Sequence, residues 1–340
     1  MRGIPLRRPS ATLGDMTRRR HGIDVLSRRP QRSPAGPAPG RSATAWVPYA
    51  VLLWAIGYGG LRVYWALGNA PEFPPLGTDL FPVAGWGAVA LVGAAAPLAV
   101  ALDRADRWWW PLAGAAWGVS TALATLCPLL LLDAVAVLIP GLGLTVDPAG
   151  IAGRLGCLAG GVLLAVATNG YRRRFRGDRP LFGGPLAGTP RWAWAAAYLA
   201  VAGCLTRLAA QYAVGVAEIP FAAGPAVLVF EAGFLLAGVL LPLALVHSWG
   251  RVFPRWLPLL AGRRVPRWLL LGPGFGLGLL LVGYFGVGTG QLAVETVAGS
   301  WDPGDGTYPL WFFWVSMPAY LLWGLGLTVA ALAYRRRTRS

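Results

Sequence analysis

The sequence predicts an all-α, polytopic integral membrane protein with eight transmembrane helices, arranged as two parallel four-helix repeats. Three observations lead to this prediction. First, 56% of the 340 residues are hydrophobic and only 13% are charged, whereas soluble domains carry about 25% charged residues. Second, eight apolar runs follow one another, each near the ~20 residues that a helix needs to cross a bilayer. Third, matching residues recur between the two halves. Together these features exclude a soluble globular enzyme and a disordered chain.

A basic segment without apolar periodicity precedes the first run. Residues 1–43 are rich in Arg, Pro, Ser and Gly and hold ten arginines, a composition typical of disorder. We therefore expect a disordered basic cytoplasmic tail. The early arginines are not followed by the apolar core of a secretory signal peptide, so a cleaved signal is not expected. Met16 remains an alternative start.

The eight runs are predicted to be helices because lipid offers no hydrogen-bond partner to a free backbone N–H or C=O group. They cover residues 45–68, 82–102, 108–132, 151–170, 192–215, 223–247, 268–292 and 310–334.

The connections between the runs differ sharply in charge. The tail, the final residues and every second connection hold 27 of the 30 arginines. The opposite connections contain no arginine but carry acidic residues, namely Glu72, Asp79, Asp147, Glu218, Asp302 and Asp305. The positive-inside rule then places both termini in the cytoplasm. The net charge of +16 is explained by these clusters, so we do not expect nucleic acid as a partner.

Internal similarity predicts a duplication. Arg62 matches Arg207 at an offset of 145, and Asp133 matches Glu295 at 162. The motif Tyr-Arg-Arg-Arg at 171–174 recurs at 334–337. Offsets that grow along the chain are expected from insertions in the loops. The predicted units are 44–176, a cytoplasmic linker at 177–191, and 192–340. Because each unit has an even number of spans, both enter the membrane in the same direction, as parallel repeats do in some transporters.

Two short motifs carry a family resemblance. Tyr64-Trp65-Ala66-Leu67-Gly68, and later Trp301-Asp302 with Tyr308-Pro309-Leu310, resemble motifs of small four-helix bacterial membrane proteins of actinobacterial type, whose function is unknown. The second half departs from the pattern, with Gln211-Tyr212-Ala213 near the place of the first motif. The resemblance implies a fused duplication and no activity. Exclusive use of arginine, with abundant Ala, Gly and Pro, also favours a GC-rich bacterial genome and thus the bacterial plasma membrane.

Charged residues inside the predicted spans are the candidate functional residues, because charge in a membrane is costly. Arg62 lies roughly 9 Å below the outer end of its span, and Arg207 and Glu231 lie roughly 12 Å below theirs, at 1.5 Å per residue. Asp133 and Glu295 fall near the outer ends of spans three and seven. Because the arginine fork suits carboxylate and phosphate, these five residues predict an outward-facing site for an anionic solute or lipid headgroup.

Other interpretations of these charges stay open. Arg62 and Arg207 could instead form ion pairs with Asp133, Glu295 or Glu231 that lock helices together. We therefore weigh three functions: a transporter or solute-binding protein, a structural or regulatory protein that organises partners or lipids, and an enzyme acting on a lipid-linked substrate. The oligomeric state is not predicted.

Metal and cofactor chemistry has little support in the sequence. The three cysteines form no CxxC pair and only two histidines are present, so neither a zinc site nor a redox pair is expected. We expect no cofactor, and no Ser-His-Asp set is visible.

Glycines spaced by four predict close helix packing. The pairs are Gly156 with Gly160, Gly272 with Gly276, and Gly274 with Gly278.

Overall fold

The computed structural model describes residues 46–73, 77–177, 184–215, 225–253, 262–302 and 308–338. These residues are mainly helical, and no strand longer than an isolated bridge is found among them. The helices are α1 Val47–Tyr64, α2 Gly85–Arg104, α3 Trp110–Thr125, α4 Leu130–Leu138, α5 Pro148–Arg176, α6 Arg191–Val214, α7 Pro225–Leu235, α8 Leu241–Val246, α9 Arg267–Ala298 and α10 Leu310–Arg337. A π-helical turn, Trp65–Asn69, extends α1, and another, Leu236–Leu240, joins α7 to α8.

The apolar runs fold into helices of membrane-spanning length. Seven helical segments of the described chain are long and apolar enough to cross a bilayer, and the bent pair α3 and α4 brings the number to eight. This confirms the all-α polytopic class. The third span differs from the prediction of one continuous helix, because it bends by 45° between Thr125 and Leu130. Pro128 lies in this break, where its missing N–H and its ring are incompatible with a helix interior.

The helices pack as two sets of four spans. In the first set, α1 packs on α2 and α5, and α3 packs on the same two helices. In the second set, α10 packs on α6, α8 and α9, and α8 also packs on α6 and α9. Among the described residues, the first and third spans of each set, α1 with α3 and α6 with α9, make few contacts with each other. The two sets meet where α3 and α4 contact α9, which is third span against third span.

The two sets share one way of holding the end of the second span. Arg174 donates to the carbonyls of Leu102 and Asp103 at the end of α2, at 2.5 and 3.1 Å. Arg337 donates to the carbonyls of Leu245 and Val246 at the end of α8, at 3.1 and 3.0 Å. These carbonyls lack partners within their helices, so the arginines cap the helix ends.

The tyrosines of the same motifs act in parallel. The Tyr171 hydroxyl donates to the Arg107 carbonyl at 2.8 Å, and the Tyr334 hydroxyl donates to the Gly250 carbonyl at 3.1 Å. We call this side of the structure the arginine-rich end, defined by the ends of α2, α5, α8 and α10. The opposite side is the arginine-poor end.

Close packing is confirmed at the first predicted glycine pair. A Cβ on Gly156 would lie 2.5 Å from the Tyr58 ring, and one on Gly160 would lie 1.9 Å from the Trp54 ring. Both aromatic side chains also hydrogen-bond to α5, since Trp54 Nε1 donates to the Gly156 carbonyl at 2.7 Å and the Tyr58 hydroxyl to the Gly153 carbonyl at 2.6 Å. These contacts fix α1 against α5.

The glycines of α9 divide into two faces. Gly274 and Gly278 pack against other helices, with a Cβ on Gly278 only 2.5 Å from Thr328. A Cβ on Gly272 or Gly276 would meet nothing within 4 Å. The packing predicted for this second pair is therefore wrong within the described chain, because only one face of α9 is turned toward its neighbours.

Candidate functional site

Arg62 is neutralised by a carboxylate from the segment that follows α1. The Nη1 atom of Arg62 lies 2.5 Å from Oδ2 of Asp79, and each side chain is only 3% exposed. The Arg62 guanidinium also lies 5.2 Å from the centroid of the Trp65 ring. A buried charge is tolerated when it is paired and hydrogen-bonded, so Asp79 accounts for the burial of Arg62.

A second ion pair adjoins the first. Arg154, on the first turns of α5, donates from Nη1 to both carboxylate oxygens of Asp133 on α4, at 2.6 and 2.5 Å. Its Nε donates to the backbone carbonyl of Asp79 at 2.9 Å. The two pairs therefore form one network through Asp79.

This network balances its own charge. It joins two arginines to two aspartates, and all four side chains are buried. It also ties α1, α4 and α5 to the segment before α2. No net charge is left in it for a ligand, so its arrangement is that of an internal lock between helices.

Arg207 on α6, which the sequence offset of 145 pairs with Arg62, has a different environment. Within the described chain it makes no ion pair with a carboxylate, and its Nε, like that of Arg62, has no hydrogen-bond partner there. Its guanidinium carbon lies 5.5 Å from the centroid of the Tyr320 ring and 5.9 Å from that of Phe234. Aromatic faces attract a cation, and Tyr320 also forms a side-chain hydrogen bond with Arg207.

Further polar groups near this level of the second set also lack partners. Among the described residues of α6, α9 and α10 away from the arginine-rich end, four more buried side-chain atoms have no hydrogen bond: Gln211 Nε2, Thr289 Oγ1, Ser316 Oγ and Trp323 Nε1. Gln211, Ser316 and Trp323 are at most 8% exposed. Unpaired buried polar atoms are costly and call for an explanation such as a bound water or ion.

Helix packing brings Thr289, Ser316 and Tyr320 to neighbouring levels, while Trp323 lies about 10 Å further along α10 than Ser316 at 1.5 Å per residue. Gln211 lies one turn beyond Arg207 on the same face of α6, and Ser316 lies one turn from Tyr320 on α10. The Phe285 ring of α9 stacks on Tyr320 at 3.9 Å between centroids. A Cβ on Gly288 would lie 3.5 Å from the Met317 sulfur, which sets the neighbours Thr289 and Ser316 at the same height.

We call Arg207, Gln211, Thr289, Ser316, Tyr320 and Trp323 the Arg207 cluster. Its members come from the α6, α9 and α10 faces of the second set, near the arginine-poor end. The cluster offers one positive charge and several neutral hydrogen-bond donors, a chemistry that suits an anion.

The remaining predicted site residues lie elsewhere. Glu231 is exposed on α7. Glu295 is half-buried near the end of α9, where it accepts a hydrogen bond from Gln291 Nε2 at 2.5 Å. Asp133 pairs with Arg154, as described above. The structure thus separates the five predicted residues into an ion-pair network, an arginine without a carboxylate and two outlying glutamates. Glu218 and Asp305 lie outside the described residues, as do residues 1–45.

Several residues of these arrangements were missed as site residues by sequence reasoning. Asp79 was assigned only to a connection, and Arg154 was not among the predicted site residues, although both belong to the buried ion-pair network of the first set. Gln211 and Ser316 carried a usable signal, since each is a polar residue within an apolar span. That these two side chains lack hydrogen-bond partners among the described residues, by contrast, is seen only in the packed structure.

Two cysteines distant in sequence also meet. The Cys127 and Cys157 thiols both donate to the Leu123 carbonyl, at 3.5 and 3.4 Å. They pack the bend of the third span against α5. In the described part of the chain, no group of three or more His, Cys, Asp or Glu side chains is placed to hold a metal ion.

Comparison of the chain with protein-family models, with curated proteins and with solved structures finds no match.

Proposed function

We propose that this is a multi-pass membrane protein that binds an anionic solute or an anionic lipid headgroup at the Arg207 cluster, with transport of that anion as its leading function. One observation carries the proposal: Arg207 is a half-buried arginine without a carboxylate among the described residues, and the helices α6, α9 and α10 that hold it and its neighbours also carry buried polar atoms without a partner there. An anion would satisfy the charge and the hydrogen bonds together.

The proposal uses the duplication, which the contacts support. Both sets pair the same spans with one another, and in both an Arg of the recurring motif caps the second span while the Tyr of that motif donates to the backbone of the connection that follows. Arg62 and Arg207 are then equivalent positions whose guanidinium groups have different partners. The first keeps an internal carboxylate, and the second is available to a ligand.

The orientation is part of the same proposal. With the arginine-rich end in the cytoplasm of a bacterial cell, the Arg207 cluster lies in the outer half of the membrane. An anion approaching from outside then meets the cluster without crossing the arginine-rich end.

A structural role is the second candidate, and the first set favours it. The network of Arg62, Asp79, Arg154 and Asp133 is charge-balanced and buried. Such a lock suits a protein that holds a fixed shape to organise partners or lipids. We assign this role to the first set, and ligand binding to the second.

Cysteine accessibility tests the proposed site. In a variant without native cysteines, Ser316→Cys is compared with Ser120→Cys. The two serines have nearly equal exposure, 5% and 6%, but Ser120 donates to the Gly161 carbonyl at 2.8 Å, whereas Ser316 has no hydrogen-bond partner in the part of the chain that the structure describes. We expect an anionic methanethiosulfonate reagent to modify Cys at 316 and to leave Cys at 120 unmodified.

Charge selectivity and sidedness complete the experiment. The anionic reagent should react at 316 at least tenfold faster than a cationic reagent of similar size, and Arg207→Gln should abolish this preference. In spheroplasts, the reagent should reach 316 from outside, with exposed Glu72→Cys as the positive control. Equal protection of positions 316 and 120, with Glu72→Cys labelled, would refute a solvent-connected site.

A further inference from the structure

We infer that the ligand of the Arg207 cluster is a monocarboxylate that carries an apolar group. This inference rests on the proposed anion site and names its substrate class. It follows from the charge of the cluster, from its equivalence to the Arg62 pair, and from the aromatic rings beside the guanidinium.

The charge of the cluster selects a monovalent ligand. Among the described residues Arg207 is its single formal charge, while Gln211, Thr289, Ser316 and Trp323 contribute neutral groups. Glu231 is exposed on α7 and Glu295 hydrogen-bonds with Gln291. In a medium of low dielectric constant an uncompensated charge is costly, so one negative charge balances the site and a dianion leaves an excess.

The first set indicates which anion fits. There the equivalent arginine receives a carboxylate, with Arg62 Nη1 at 2.5 Å from Asp79 Oδ2. At the offset of 146 that aligns the loop motifs of Glu72 and Glu218, the residue corresponding to Asp79 is Pro225, which has no carboxylate. A ligand carboxylate at Arg207 would therefore replace a group that the first set supplies from its own chain.

The rings around Arg207 call for an apolar substituent. Phe234 and Tyr320 flank the guanidinium, Phe285 stacks on Tyr320, and Phe234 meets Trp323 edge-on at 4.9 Å. An anion bound to Arg207 is thus next to aromatic rings. A hydrated ion buries no apolar surface against these rings, whereas a hydrocarbon or aryl group attached to the carboxylate does, and this burial is favourable.

The shared chemistry has two sources: a fatty acid from the membrane and a soluble aromatic acid. Both present one carboxylate and one apolar group to the cluster. The binding experiment below includes both.

Binding of radiolabelled decanoate to the full chain in nanodiscs tests the inference, with scintillation proximity as the readout. We expect saturable binding that unlabelled decanoate displaces. Decanol and decyltrimethylammonium, which have the same chain but no carboxylate, should not displace it. Arg207→Gln should weaken binding at least tenfold, as expected for the loss of a charge-assisted hydrogen bond, while Arg176→Gln at the arginine-rich end should bind as the parent protein does.

The competitors separate the outcomes. Displacement by benzoate at concentrations comparable to decanoate would support the inference and favour a soluble aromatic acid, whereas displacement by longer fatty acids alone would support it and favour a membrane lipid. Acetate competing as well as decanoate would overturn the apolar part. Binding of inorganic or decyl phosphate without carboxylate binding would overturn the inference and leave the proposed anion site intact. Decanoate binding unchanged by Arg207→Gln would overturn the assignment of the carboxylate to this cluster, and unselective labelling of Cys at 316 would overturn the anion site itself.

Discussion

Replacing Asp133 by Asn is expected to lower the free energy of unfolding by about 3–5 kcal/mol, the cost of breaking a buried ion pair by removing one partner. Arg154 is 2% exposed and has both carboxylate oxygens of Asp133 on its Nη1 atom. The neutral amide leaves this cation uncompensated in the protein interior. Unfolding by SDS, followed by circular dichroism in the far ultraviolet, measures the change.

Two controls separate the lost charge from general sensitivity to substitution. Glu231→Gln changes an exposed carboxylate in the same way and is expected to alter stability by less than about 0.5 kcal/mol. The double variant Asp133→Leu with Arg154→Met removes both charges and should recover most of the loss, since apolar residues can replace a buried pair. Equal stabilities for Asp133→Asn and Glu231→Gln would contradict the network.

Gly203→Ala is expected to destabilise the second set by about 1–3 kcal/mol, the usual cost of overpacking a core. A Cβ at this position would lie 2.4 Å from the Ala319 carbonyl oxygen and 2.9 Å from the Trp323 nitrogen. Both are backbone atoms, so the only relief is for α6 and α10 to move apart. The same SDS titration measures the effect.

Gly276→Ala is the matched control. It makes the same chemical change within a helix, but a Cβ there would meet nothing within 4 Å. Because alanine is a better helix former than glycine by up to about 1 kcal/mol, this variant is expected to be as stable as the parent or slightly more stable. If Gly276→Ala lowered the stability as much as Gly203→Ala does, the close contact between α6 and α10 would not be the cause of the Gly203→Ala effect.

The spans were predictable because their signal is local. A helix in lipid needs a run of apolar residues and little else, so the run at 192–215 predicted α6 Arg191–Val214 almost to the residue. The third span differs from its apolar run, because it is not one continuous helix. The apolar run continues through Pro128, but this proline lies in the break between α3 and α4, because a proline is incompatible with a helix interior.

The candidate site was only partly predictable, because pairing is a property of packed helices. The pattern of charges singled out Arg62 and Arg207 as equivalent buried arginines. It did not distinguish between them, since the distinction depends on a carboxylate seventeen residues after Arg62 that folds back onto α1. Asp79 was assigned to a loop by its position, and only the path of that loop brings it to the arginine.

The sequence by itself determined the helical class, the positions of the spans and the residues whose burial would be costly. These follow from hydropathy and charge, which each residue carries whatever its neighbours are. Only the tertiary structure decided which charges cancel. Asp79 and Asp133 neutralise two arginines in the first set, whereas Arg207 meets aromatic rings in the second and no carboxylate of the described residues. The reason is that hydrogen bonds and ion pairs form over a few ångströms between residues that are distant in the chain.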